Sequence, residues 1–232
     1  MRIWDVNPGY LNRQSLLGEH RELHGIVSIF LNDRKGYSRH PETLRWKGFA
    51  WALGKRHRLL SSEMALRGYT DKSPVNTVSN ELNWPDEFID EPHVQFELLR
   101  GKYAGKEQGR IPLPENGQQL WSHHKYSVMA RDISLYREIG RDVSTISRAG
   151  HEYVSLCRRL TLILRTPPSA GGIRNSLQHM WGYVSSSYGD SKQNIKDWSP
   201  LHLLNEIRKL TFSCRQPYLL SSTALSDLEA WM

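Results

Sequence analysis

Apolar residues in this chain recur with a helical period almost from end to end, and no alternating strand pattern runs longer than four residues. That one feature confines the fold to the all-α class. In the first helix, expected over 11–34, Leu16, Leu23, Val27 and Phe30 form one stripe. A break follows at Asn32-Asp33-Arg34-Lys35-Gly36. Pro41 then suits a first helical position, and a single helix is expected to carry Trp46, Phe49, Leu53, Leu60 and Met64 until Gly68 ends it. Further helices are expected over 118–129, 132–147, 151–166, 172–187, 200–213 and 219–231, punctuated by Pro167-Pro168, Gly171-Gly172, Gly189 and Ser199-Pro200. Residues 70–116, dense in Pro, Asn, Gly and acidic groups, read mostly as loop.

Charge divides the chain in the same way. Residues 1–80 hold 13 Lys/Arg against 7 Asp/Glu, residues 81–116 hold 4 against 8, and residues 117–232 hold 14 against 9. The expected architecture is a helical unit at 1–80, an irregular, acidic, Pro-containing connector at 81–117, and a helical domain at 118–232. A net charge of +7 is the usual footprint of a nucleic-acid partner, though alone a weak one. The apolar runs are too short to span a membrane, and the first residues lack a signal-peptide core, so a monomeric cytoplasmic protein is expected. Cys157 and Cys214 sit in apolar runs and are expected as free, buried thiols of a reducing compartment.

Several chemistries have no footing. The glycine signatures of nucleotide cradles and the serine-hydrolase elbow are absent, and no cysteine pair has zinc spacing. His20 and His24 share a helix face at i, i+4, but no third ligand is evident, so they read as the polar edge of a packed helix. His123 and His124 point about 100° apart on a helix and do not chelate together. Neither a metal nor a cofactor is expected.

The first helix is unusual. Setting Leu16 at 0° and stepping about 100° per residue places Gln14, Gly18, Arg21 and Gly25 opposite the apolar stripe, with Ser15 and Glu22 on the edge of that face. A glycine inside a helix costs about 1 kcal/mol relative to alanine. Two on one polar face therefore imply that something approaches closely, either a ligand or a neighbouring helix. Spacing alone favours the helix.

These residues also carry a resemblance. Met1-Arg2-Ile3-Trp4-Asp5, then Gln14-Ser15-Leu16-Leu17-Gly18-Glu19-His20-Arg21-Glu22-Leu23-His24, Gly36-Tyr37-Ser38-Arg39-His40-Pro41 and Arg67-Gly68-Tyr69, with a basic second helix at Lys55-Arg56-His57, resemble the pyrimidine-dimer DNA glycosylase (phage endonuclease V-like) family over residues 1–76. Residues 119–232 resemble an uncharacterised bacterial helical domain, carried by His124-Lys125-Tyr126, Met129-Ala130, Tyr136, Gly140-Arg141, the run from Asn175 to Met180, and Gly182-Tyr183.

The first resemblance implies a chemistry. The α-amine of Met1 attacks C1′ of the damaged nucleotide, the base leaves, a Schiff base forms with the opened sugar, and β-elimination nicks the strand. Glu22 is the second essential group, stabilising positive charge at C1′ and moving protons. A chain-terminal amine titrates at about 7.7–8.0, so a fraction is neutral and nucleophilic at pH 7. The implied partner is double-stranded DNA bearing a damaged or modified base, displaced from its stack. Arg2 and Arg21, with Gln14 and Ser15, are the expected DNA contacts around the site, and Arg13, Arg45, Lys47, Lys55 and Arg56 the expected phosphate contacts. Arg174, beside the helix start at Ser169-Ala170-Gly171-Gly172, is a further phosphate candidate, against an ordinary helix start.

Three departures from the family pattern bear on specificity. The bulk of Arg2 implies that Met1 is retained, Ser15 stands where the family commonly has histidine, and Gly25 where phage enzymes place arginine. They leave open which base is excised: a pyrimidine dimer, or a bulky modified pyrimidine of phage DNA, which would make the protein an antiviral enzyme. A non-catalytic, structure-specific DNA-binding protein and an interaction module built on the C-terminal helices are the competing readings.

Overall fold

The structure, a computed structural model, describes residues 1–32, 35–75, 77, 82–148, 150–188 and 195–232. Asp33, Arg34 and the expected stop at Gly189 lie outside them. The described residues form eleven α-helices and no strand, in two compact units, Met1–Gly109 and Arg110–Met232.

In the first unit an extended N-terminal segment leads into α1 (Arg13–Asn32), whose start is capped by Asn12 Oδ1 accepting from the Ser15 N–H at 2.9 Å. Leu16, Leu23, Ile26 and Val27 are buried, whereas Phe30 is exposed, so the stripe ends one turn earlier than its spacing suggests. The single helix expected from Pro41 to Gly68 is instead two, α2 (Pro41–Arg45) and α3 (Ala50–Leu66). Gly48 separates them at φ +90°, where a side-chain-bearing residue is strained. α3 packs on α1 and ends as expected at Gly68.

The connector expected to be irregular contains α4 (Pro92–Lys102), begun by Pro92 in its first turn. This helix belongs to the first unit. Phe96 meets the Tyr10 ring edge-on at 4.9 Å, Tyr103 Oη accepts from the Asn12 N–H, and Gln95 exchanges hydrogen bonds with Asp5 at 2.8 and 2.9 Å. The glutamates around this helix made the segment look like solvated loop; its buried face is Gln95, Phe96 and Leu99.

The second unit is built on α5 (Gly117–Met129), against which α6 (Ile133–Asp142), α7 (His151–Arg165) and α8 (Ala170–Trp181) pack, with α9 (Pro200–Ser213) on α8. The helix expected over 219–231 is broken into α10 (Pro217–Leu220), α11 (Ala224–Asp227) and a final 3₁₀ turn. Thr223 takes part in the break. Its N–H and its hydroxyl both donate to the His123 carbonyl, at 2.8 and 2.9 Å, so its N–H is withdrawn from the helical hydrogen-bond ladder although its own backbone angles stay helical. The buried Arg131–Asp227 pair, at 2.8 Å, ties the end of α5 to α11. Cys157 is buried as expected; Cys214, at the C-terminal cap of α9, is exposed.

Candidate active site

The N-terminal segment that leads to the site is held by arginines. Arg45 Nη1 donates to both carboxylate oxygens of Asp5 at 3.0 Å and Nη2 to the Ile3 carbonyl at 3.0 Å, while Glu42 accepts from the same guanidinium. Arg56 Nη1 donates to the Val6 carbonyl at 2.9 Å, and Arg67 Nη1 to the Leu11 carbonyl at 2.7 Å. Ile3 and Trp4 are buried between these clamps, anchoring the chain end as their apolar character suggests. At the tip, Met1 Sδ accepts from the Thr43 hydroxyl.

This anchoring delivers the Met1 amine to the side of α1. Its nitrogen stands 4.0 Å from Glu22 Oε1, and the Arg2 N–H donates a short hydrogen bond to Glu22 Oε2. Glu22 is 40% exposed, so its carboxylate faces a solvent-accessible cleft. That cleft has a volume of about 320 Å³ and is lined by Arg2, Trp4, Gln14, Ser15, Gly18, Glu19, Glu22, Leu98 and Lys102. Its volume lies at the small end of the range of about 300–1,000 Å³ usual for small-ligand sites.

The glycines settle the question that spacing left open. A Cβ built on Gly18 or Gly25 meets nothing within 4 Å, so among the described residues no helix packs against either glycine. Gly18 instead opens the floor of the cleft. Glu19 is fully buried beneath it, paired with Arg56 through two hydrogen bonds at 2.7 and 2.9 Å. Burial pushes the Glu19 carboxyl up to about 7, against the opposing pull of the guanidinium.

Of the residues singled out from sequence, Met1, Arg2, Gln14, Ser15 and Glu22 converge here. The Arg2 guanidinium is anchored on Asp90 at 2.7 Å and lies over the Trp4 ring. Arg21, exposed, turns back to the Leu17 carbonyl. Arg13 and Lys47 are exposed, and the Lys55 ammonium lies 6.0 Å from the Trp51 ring centre.

Three expected phosphate contacts are structural instead. Arg45 and Arg56 are committed to internal carboxylates and to the N-terminal segment. A basic run in sequence does not reveal that Asp5 and Glu19 reach it from other elements. Arg174 donates to the carbonyls of Ile195, Lys196 and Trp198, and a Cβ on Gly172 would stand 2.0 Å from the Ala130 carbonyl, so that helix start is a close-packed joint. Trp4, Glu19, Leu98 and Lys102 complete the lining and were not singled out as site residues. Lys102 and Leu98 were hidden because their helix was read as loop, although Pro92 signals its start.

Residues 125–227 match a family described as protein of unknown function (DUF1722). No curated protein and no solved structure matches the chain. Residues 1–77 match the family described as pyrimidine dimer DNA glycosylase, so the segment that builds most of the cleft is similar to a family of DNA glycosylases.

Proposed function

We propose that the protein is a DNA glycosylase with associated abasic-site lyase activity, acting on a damaged or modified pyrimidine in double-stranded DNA. The observation that carries this reading is the 4.0 Å approach of the Met1 amine to Glu22 at the edge of an open cleft. In the proposed reaction the neutral amine attacks C1′ of an extruded nucleotide. The N–C1′ bond forms as the glycosidic bond breaks, and its electron pair leaves with the base, which takes up a proton. Glu22 removes a proton from the new ammonium and delivers one to the ring oxygen, opening the sugar to an imine. Loss of a C2′ proton then expels the 3′-phosphate, and water hydrolyses the imine to restore the amine. Throughout, the carboxylate offsets positive charge developing at C1′.

The small Ser15 and Gly18 leave the cleft floor open, and the base removed is either a pyrimidine dimer or a bulky modified pyrimidine of phage DNA, the latter making the protein an antiviral enzyme rather than a repair enzyme. Incubating the protein with matched duplexes carrying either lesion, with and without borohydride, tests both levels. A covalent protein–DNA adduct in the presence of borohydride supports the amine mechanism, and the duplex that yields it identifies the base class. Salt-sensitive binding with neither excision nor adduct would leave a DNA-binding protein without chemistry.

A further inference from the structure

His20 and His24, read from sequence as a helix edge lacking a third ligand, have two more partners in space. His57 comes from α3 and Asp71 from the segment after it, and one donor atom from each of the four residues lies within 4.8 Å of the others. The individual separations are specific. His20 Nε2 is 3.3 Å from His24 Nε2 and 3.3 Å from Asp71 Oδ1, and His57 Nε2 is 3.2 Å from Asp71 Oδ2. Zinc bonds of about 2.0–2.1 Å in a tetrahedron place neighbouring donors about 3.3–3.4 Å apart, which matches the His20–His24 edge, with His20 and His57 approaching different oxygens of the Asp71 carboxylate. His57 is buried, and among the described residues its Nε2 has no hydrogen-bond partner although it points into this cluster. The carboxylate is fixed from behind: the Ser61 hydroxyl donates to Asp71 Oδ2 and the Ser73 N–H to Asp71 Oδ1, both at 2.9 Å. Such outer hydrogen bonds are what orient a metal-binding carboxylate.

We infer that His20, His24, His57 and Asp71 form a closed, four-ligand site for a divalent zinc ion. Three imidazoles and one carboxylate suit zinc, and four protein ligands leave no position for water, so the role is structural rather than catalytic. Stepping about 100° per residue, His20 and His24 each lie about 160° around α1 from Glu22. The ion thus pins α1 to α3 and the Asp71 segment from behind, fixing the rotation of the helix that presents Glu22.

The test uses full-length protein carrying a C-terminal tag free of histidine. Elemental analysis after gel filtration should give one zinc per chain. Chelator-stripped protein titrated with Co²⁺ should develop the intense visible absorption of four-coordinate cobalt, saturating at one equivalent and bleached by Zn²⁺. His57→Gln and Asp71→Asn should lose stoichiometric metal, and Ser61→Ala should weaken zinc binding by about 10–100-fold, with circular dichroism confirming that each variant is folded. Native protein that retains no zinc and gives no four-coordinate cobalt spectrum overturns the assignment. So does undiminished 1:1 metal binding by folded His57→Gln and Asp71→Asn.

Discussion

Arg56 separates a structural from a DNA-contacting role most sharply. Its side chain is 3% exposed and makes a two-point pair with the fully buried Glu19, while also donating to the Val6 carbonyl. Arg56→Met leaves the carboxyl buried without its partner, and breaking a buried pair from one side costs about 3–5 kcal/mol. At about 2–4 °C per kcal/mol for a chain of this size, that is a fall of about 6–20 °C in Tm. The loss should depend on pH. Without the guanidinium, burial and the nearby Asp5 and Glu42 carboxylates all push Glu19 upward, so its folded-state pKa rises further above the unfolded value. The protonated form then contributes stability at low pH that is lost as pH rises above about 4.5. Urea titrations of Arg56→Met and native protein should therefore diverge more at pH 8 than at pH 5. Arg56→Met combined with Glu19→Gln should recover most of the loss, because no buried charge is stranded. A variant within about 0.5 kcal/mol of native protein, but with its DNA-binding salt slope lowered by about one, would refute this reasoning and restore Arg56 as a phosphate contact.

Three other perturbations probe the site and the second unit. Glu22→Gln keeps an oxygen to accept from the Arg2 N–H, so stability should change by under about 1 kcal/mol while base excision falls by about 10²–10⁴-fold; full turnover in a single-turnover assay would remove Glu22 from the chemistry. Gly18→Leu has room for its Cβ yet sends its side chain toward the cleft, so excision should fall at least tenfold without loss of Tm, whereas Gly25→Ala should gain about 1 kcal/mol with activity retained; equal activity in both would show that the cleft is not the base site. Burial pushes His123 down to about 4 and His124 to about 3, so both are neutral in the fold. Their folded pKa values lie below that of the unfolded chain, so the stability they contribute is intact above pH 6.5 and drains as pH falls from 6.5 toward 4. Together they should steepen the decline by about 2–3 kcal/mol per pH unit; a flat urea-stability profile across that window would contradict their neutral burial.

Local signals carried much of the fold. Ser199-Pro200 places the start of α9 as expected, and Gly68 closes α3 where punctuation says it should. Long-range partners carried the remainder. Nothing in the sequence near Thr223 announces that it will bond the His123 carbonyl, a hundred residues away, and split the last helix. Gly48 looked like one glycine in a continuous helix because its positive φ is a property of the folded turn. At the site, helix geometry alone sets Gln14, with Ser15 and Glu22 at its edge, on one polar face of α1, whereas Met1 and Arg2 enter only through the family resemblance. For Arg45 and Arg56 positive charge advertises a phosphate; Asp5 and Glu19, which claim those charges, are identifiable only in three dimensions, although the i, i+3 spacing of Glu42 and Arg45 is visible in the sequence.

In the proposed reaction one amine, the α-nitrogen of Met1, forms the bond to C1′. The cleft also contains Lys102, whose ε-amine is chemically able to form the same imine. Peptide mapping of the borohydride-trapped adduct by mass spectrometry discriminates between them. The reduced sugar should be found on Met1, with trapping abolished by N-terminal acetylation and unchanged in Lys102→Arg. An adduct on Lys102, or trapping that survives acetylation of Met1, would contradict that reaction.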